Sequence, residues 1–241
     1  MSKQHKARRS IGLAALAAAT IAAVQPAMAD CDSMPAAKVD WSGCDKYKTT
    51  MSGMDFSGAD LTKAVLARSD LRKSDLSGAK LVEADLNRAV LDDAKLVKAQ
   101  LDKADFAKAR LHGTNFSGAA GVNVDFGRAD LAGADLTGVN FQKADFGRAI
   151  LPKAKLTGAT LTGTDLSRAD LTGADLGTAN LTRVGFARAI LVKANLAGAN
   201  LDQADLYLAD LTGAALDGAR TDGARFCRTT MPDGTVNNKS C

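Results

Sequence analysis

Residues 59–86 read ADLTKAVLARSDLRKSDLSGAKLVEADL, with a leucine at every fifth position: Leu61, Leu66, Leu71, Leu76, Leu81 and Leu86. The beat extends both ways, from Met51 to Phe226, through 176 residues without an insertion. Of its 36 positions, 34 are Leu, Phe or Met; Gly121 and Thr221 depart. Two residues before each beat the chain is small, and between 54 and 224 that slot is Ala 27 times in 35.

A period of five suits neither regular element. On an α-helix, five residues overshoot a full turn by ~140°, so the leucines would smear round every face. On a flat strand an odd spacing throws successive leucines to opposite faces. A chain that turns a corner every five residues escapes both problems, with one large and one small side chain inward on each side. Such fixed self-similarity marks a solenoid.

The outward positions count the sides of one turn. Two residues after the beat, every twentieth residue is Arg68, Arg88, Lys108, Arg128, Arg148, Arg168 and Arg188, then Leu208 and Arg228. Sampling every fifteenth shows no such order, and Phe106, Phe146, Phe186 and Phe226 recur every forty. Four sides of five residues therefore predict an all-β, square β-helix of about nine turns, roughly 40 Å long at the ~4.8 Å strand spacing.

These residues resemble the pentapeptide-repeat family, whose pattern A(D/N)LXX is matched by GADLTGADL and LTGADLGTANL. The resemblance implies a right-handed quadrilateral β-helix, and it says little about activity, since fold does not carry function.

The predicted organisation has four parts. Residues 1–29 read as a signal peptide: Lys3, Lys6, Arg8 and Arg9 precede an apolar run from Ile11 to Val24, and Ala27-Met28-Ala29 has the form of a cleavage site. Arg8-Arg9 leaves the twin-arginine route open beside the general one. Residues 30–50 lack the beat and read as an N-terminal cap holding Trp41, needed because an open β-helix end exposes strand edges and core. Residues 51–226 are the solenoid, and 227–241, with the turn signal Pro232-Asp233-Gly234, a C-terminal cap. At Gly121 the missing leucine predicts a local bulge, with Val122 and Val124 refilling the space. An exported chain is expected in the periplasm or outside the cell, with no membrane span in its mature part.

Export changes the charge argument. The formal net charge of +4 lies within residues 1–29, leaving 27 basic against 27 acidic residues. A neutral chain has no overall field to steer it to nucleic acid or anionic membranes.

Four cysteines, Cys31, Cys44, Cys227 and Cys241, sit in pairs near the two ends. A disulfide needs Cα atoms within ~7 Å, so a rod of this length permits only Cys31–Cys44 and Cys227–Cys241. An oxidising compartment favours disulfides over zinc. With His112 the one histidine beyond residue 29, neither a Ser–His nor a Cys–His arrangement has its partners. No metal, cofactor or enzymatic activity is expected.

Two surface features remain. The basic column Arg68, Arg88, Lys108, Arg128, Arg148, Arg168 and Arg188 could meet a polyanion. Three residues earlier on the same side run Asp85, Asp105, Asp125, Asp145, Asp165 and, after Gly185, Asp205, as DLNRA, DFAKA, DFGRA and DLSRA. Charge balance between the two columns is the competing, structural reading. The second feature is an apolar cluster of Ile150, Pro152, Ile190 and Val192, with Tyr207 and Leu208 at the adjoining corner. The leading expectation is a non-enzymatic exported scaffold whose protein partner meets that cluster. The alternative is a binder of envelope polyanions through the basic column. A remote alternative is a DNA-mimicking gyrase protector, a role the resemblance implies for some family members; those are acidic and cytosolic, whereas this chain is expected to be exported and neutral.

Overall fold

The computed structural model describes residues 29–241. The expected signal peptide lies outside them, except for Ala29, which packs half-buried against the core.

From Asp40 onward, the residue before each beat position pairs in parallel with the residue twenty further on: Asp40 with Asp60, Asp45 with Val65, and so to Asp210 with Thr230. A register of twenty with a bridge every five residues means four sides to a turn. Each side is one bridge between two-residue corners, too short to be a strand alone. The β character lies in the four ladders that successive turns build.

The side Asp60–Ala64 shows where the backbone groups go. Asp60 N–H donates to Val39 O in the preceding turn (2.9 Å), Leu61 and Lys63 donate to Lys80 and Val82 in the following turn (both 2.8 Å), and Ala64 closes the corner onto Leu61 O (3.0 Å). The fifth group, Thr62 N–H, donates to Asp60 Oδ1 at 3.1 Å. The Asp or Asn of A(D/N)LXX thus takes the one N–H that the coil leaves over. Where that slot holds Arg110, Ala120 or Arg220, the N–H groups of His112, Val122 and Asp222 turn to Asp92, Asp102 and Asp202 of the preceding turn.

Inside, the beat and small slots form one continuous core; Leu166, for example, is 0% exposed. Phe106, Phe126 and Phe146 stack along it, with ring centroids 5.1 and 4.6 Å apart. Hydroxyls that replace alanine in the small slot donate to carbonyls: Thr114 to Leu91, Thr164 to Phe141 and Thr229 to Leu206. They therefore stay buried without an unmet polar group.

Gly121 makes no bulge. The ladder passes through Gln100–Ala120–Asn140 in unbroken register. Val124 is fully buried while Val122 stays exposed. A β-carbon on Gly121 would stand 2.7 Å from a Val124 methyl and 2.8 Å from the Leu101 carbonyl carbon. The space was closed by Val124 and a close backbone approach, so no extra residue was needed.

At the N-terminal end the bridges start at Asp40, before the sequence beat. Trp41, in beat register, is 1% exposed, packs on Phe56 at 5.3 Å and donates its indole N–H to Ser33 Oγ. Lys46 lies over its ring, 4.0 Å from the centroid. At the C-terminal end, β1 (Thr229–Thr230) pairs antiparallel with β2 (Val236–Asn237). Thr230 also bridges Asp210, so β2 occupies the edge where a further turn would stack. Disulfides Cys31–Cys44 (Cα–Cα 5.4 Å) and Cys227–Cys241 (4.7 Å) tie the two ends as expected.

Candidate binding groove

All seven cations of the basic column sit at corners where the backbone is left-handed, with φ near 60° at Arg128, Arg148 and Arg168. That geometry throws each side chain outward, and all seven are exposed. Each from Arg68 to Arg168 has another cation one turn before and one turn after it; Arg188 has Arg168 before it and Leu208 after it. Among the described residues none of them enters an ion pair. Arg68, at the N-terminal end, lies 6.0 Å from the Tyr47 ring.

The same slot on the adjoining side is organised differently. There Glu83 lies between Lys63 (3.7 Å) and Lys103 (3.3 Å), so the charges pair along the ladder. The hydrogen bond from Lys103, with the charges of Lys103 and Lys63, holds the Glu83 carboxyl below its ordinary value. Elsewhere Lys80 meets Asp60 and Lys95 meets Asp75, again one turn apart.

The aspartate column is occupied with the backbone. Asp105, Asp125, Asp145 and Asp165 each accept, through Oδ1, the N–H two residues on, at Ala107, Gly127, Gly147 and Ser167 (2.6–2.8 Å). Oδ1 of each carboxylate is thus committed to the backbone, and among the described residues no aspartate of this column pairs with a cation of the basic column. Burial, reinforced by Asp105 and Asp145 on either side, pushes the Asp125 carboxyl up from its ordinary value, against the hydrogen bond from Gly127.

Between the columns lies a groove. Asp125, Asp145 and Asp165 form one wall, Lys108, Arg128, Arg148, Arg168 and Arg188 the other, and Ala107, Gly127, Gly147, Ser167 and Ala187 the floor. Its length from Lys108 to Arg188, four turns, is ~19 Å at the usual strand spacing. The floor exists because the residue after the beat is small there. One turn beyond each end that slot holds a larger side chain, Asn87, whose amide reaches Asp105 Oδ2 at 3.5 Å, and Tyr207, which stacks under Arg225. Sequence reasoning took the columns but missed the floor, although DFAKA, DFGRA and DLSRA spell it out.

The apolar cluster is less continuous. Ile150 and Ile190 are each 43% exposed, but Asp170 stands between them in the ladder. Pro152, Val192, Tyr207 and Leu208 are half-buried. His112, at the corner beyond Leu111, meets Asp130 at 2.7 Å. Among the described residues no group of His, Cys, Asp and Glu is arranged to hold a metal ion, and no helix is long and apolar enough to cross a membrane.

Pentapeptide repeats, in eight copies, match the chain in segments running from 51–88 to 189–226. The chain belongs to the pentapeptide-repeat family. It is similar to HetL, a pentapeptide repeat protein involved in heterocyst differentiation regulation in Nostoc sp. strain PCC 7120, at 33% identity over 82% of this chain and 92% of that one, with a TM-score of 0.35. QnrB1, a plasmid-mediated fluoroquinolone resistance protein, shares the fold at 19% identity over 78% of this chain and 90% of its own, with a TM-score of 0.50. A pentapeptide repeat protein of the Arabidopsis thaliana thylakoid lumen is 32% identical over 45% of this chain and 68% of its own, with a TM-score of 0.32. No curated protein sequence matches the chain.

Proposed function

We propose that the protein is an exported, non-catalytic binding rod, a right-handed coil of about nine turns at ~4.8 Å, that holds an anionic polymer of the cell envelope along its basic column. The observation that carries this reading is the contrast between two neighbouring columns. Lys63, Glu83 and Lys103 satisfy one another across turns; among the described residues the cations from Lys108 to Arg188 enter no ion pair, and they line an open groove. A row of like charges raises the energy of the free protein, and an anionic ligand relieves it. The two terminal disulfides support placing the protein in an oxidising compartment.

A second reading keeps a protein partner at the apolar cluster, supported by the exposure of Ile150 and Ile190. Heparin titrations separate the two. The triple change Arg128→Gln, Arg148→Gln and Arg168→Gln suits the corner, because Gln203 holds the same left-handed conformation (φ 59°). It should weaken heparin at least tenfold, and wild-type binding should fall with salt, since exposed charges are screened over ~8 Å. Replacing Ile190, Val192 and Leu208 by Ser should leave heparin binding unchanged. Heparin affinity indifferent to the three Arg changes would remove the proposal.

A further inference from the structure

The groove sets a condition that a bare polyanion does not meet. Each aspartate of its wall commits Oδ1 to the backbone, which leaves Oδ2. Oδ2 of Asp145 and of Asp165 lies 3.9 Å from where a β-carbon on Gly127 and on Gly147 would stand. These oxygens therefore border the space that the missing side chains leave. At the two ends the equivalent oxygens have donors, Asn87 for Asp105 and Arg225 for Asp205. At Asp125, Asp145 and Asp165 no side chain among the described residues donates to Oδ2. Across the floor stand Lys108, Arg128, Arg148, Arg168 and Arg188, which enter no ion pair among the described residues.

A ligand for this groove must then do two things on the three rungs that carry both walls, at Asp125 and Arg128, Asp145 and Arg148, and Asp165 and Arg168. It must offer hydrogen-bond donors to one wall and an anionic group to the other, repeating at the ~4.8 Å spacing of the turns. Polymers that carry only phosphate or sulfate would set negative charge against the aspartates. Sugars bring hydroxyl donors, and the rung spacing is the length scale of one residue in an extended sugar chain. The small floor lets a ring approach the backbone, and Asn87 and Tyr207 bound the path.

We infer that the groove takes an acidic polysaccharide, a polyuronate with free hydroxyls and one carboxylate on each sugar, lying along the rod axis between the Asp125–Asp165 and Lys108–Arg188 columns. This rests on the polyanion reading above and names its ligand class. Neutral glycans lack the anion for the arginines, and nucleic acids carry too few donors per charge for the aspartates.

The test uses the oxidised full chain, with an oligogalacturonate of about five residues, one per rung at the strand spacing. The groove is filled by Gly127→Thr with Gly147→Thr. The added β-carbons would stand 2.9 Å from Oδ1 of Asp125 and Asp145, so these carboxylates must give slightly; Thr62, Thr137 and Thr172 occupy the same position elsewhere and still donate their N–H groups to the local aspartate at 2.9–3.1 Å, so the coil accommodates the change. Isothermal titration should show binding of the oligogalacturonate and none of its methyl ester. The double threonine variant should lose at least tenfold for the oligogalacturonate while keeping its circular dichroism. Unchanged oligogalacturonate affinity in that variant would overturn the inference. So would tighter binding of single-stranded DNA or polyphosphate of equal charge, which would leave the general polyanion reading standing. Failure of heparin and oligogalacturonate alike would remove both.

Discussion

Two adjoining sides of this rod are made from the same five-residue unit and hold charged residues in the same corner slot. On one, Lys63, Glu83 and Lys103 alternate in sign and pair at 3.3–3.7 Å. On the other, cations follow one another from Arg68 to Arg188, and none of them pairs among the described residues. The difference teaches that this backbone places charge without deciding what the charge does. In a solenoid with a twenty-residue register, the neighbours of any surface residue are those twenty before and twenty after it. Alternation along that register lets charges pair from turn to turn. Repetition makes a charged one, and small residues beside it make a groove.

The comparison assumes that both sides hang from one rigid core, and the largest expected effect tests that. Leu166, under the basic column, is fully buried. Leu166→Asp would place a carboxylate among partners that offer it no donor, and should cost more than about 3 kcal/mol and unfold the central turns. Leu166→Met should cost less than about 1.5 kcal/mol. Denaturant unfolding followed by circular dichroism measures both; equal costs would mean that the beat residues do not hold the coil together.

A smaller effect asks whether the groove depends on the ends. Replacing Cys227 and Cys241 by Ser opens a link of sequence separation 14, worth roughly 2–4 kcal/mol in comparable loops. Because each turn contacts only its neighbours, amide exchange should rise from about Leu206 onward while Asp125–Arg148 stays protected. Uniform loss of protection would show that the turns are one cooperative unit, and that the two sides cannot be treated separately.

The smallest effect sharpens the comparison most directly. Glu83 is held low by Lys103 and Lys63, and Asp125 is pushed up by burial and its stacked neighbours. For Glu83, the stabilisation is present above the unfolded-state value and is lost as pH falls through the lower folded value. For Asp125 the sign reverses: a raised folded value means the ionised carboxylate costs stability above it, and the cost is relieved as pH falls through it. Carboxyl titration by NMR should therefore put Asp125 above the ordinary carboxylate range and Glu83 below it. Asp125→Asn should slightly stabilise the protein at neutral pH and not in acid. Asn115 shows that an amide can take the same N–H, from Ser117 at 2.8 Å. Equal titration of Asp125 and Glu83 would mean the two sides are electrostatically alike.

The two surfaces differ in the folded chain from their one-dimensional reading. In the sequence, Asp and Arg three residues apart read as mutual charge balance, and Ile150, Pro152, Ile190 and Val192 read as a patch. Asx capping commits Oδ1 of each aspartate to the backbone, and the aspartates do not pair with the arginines, a consequence of where the fifth N–H points rather than of spacing. The patch is divided because Asp170 shares the ladder of Ile150 and Ile190.

By itself the sequence determined the coil, its twenty-residue register, the core residues and the pairing of the four cysteines. Each follows from a local period repeated without interruption, so one side predicts the next. Tertiary structure alone decided how Gly121 was accommodated, where the bridges begin, and which charges meet. Those depend on distances between atoms twenty residues apart and on which donors the backbone claims first. A one-dimensional pattern records that Asp125 and Arg128 are near; it does not record that Gly127 N–H already holds the carboxylate.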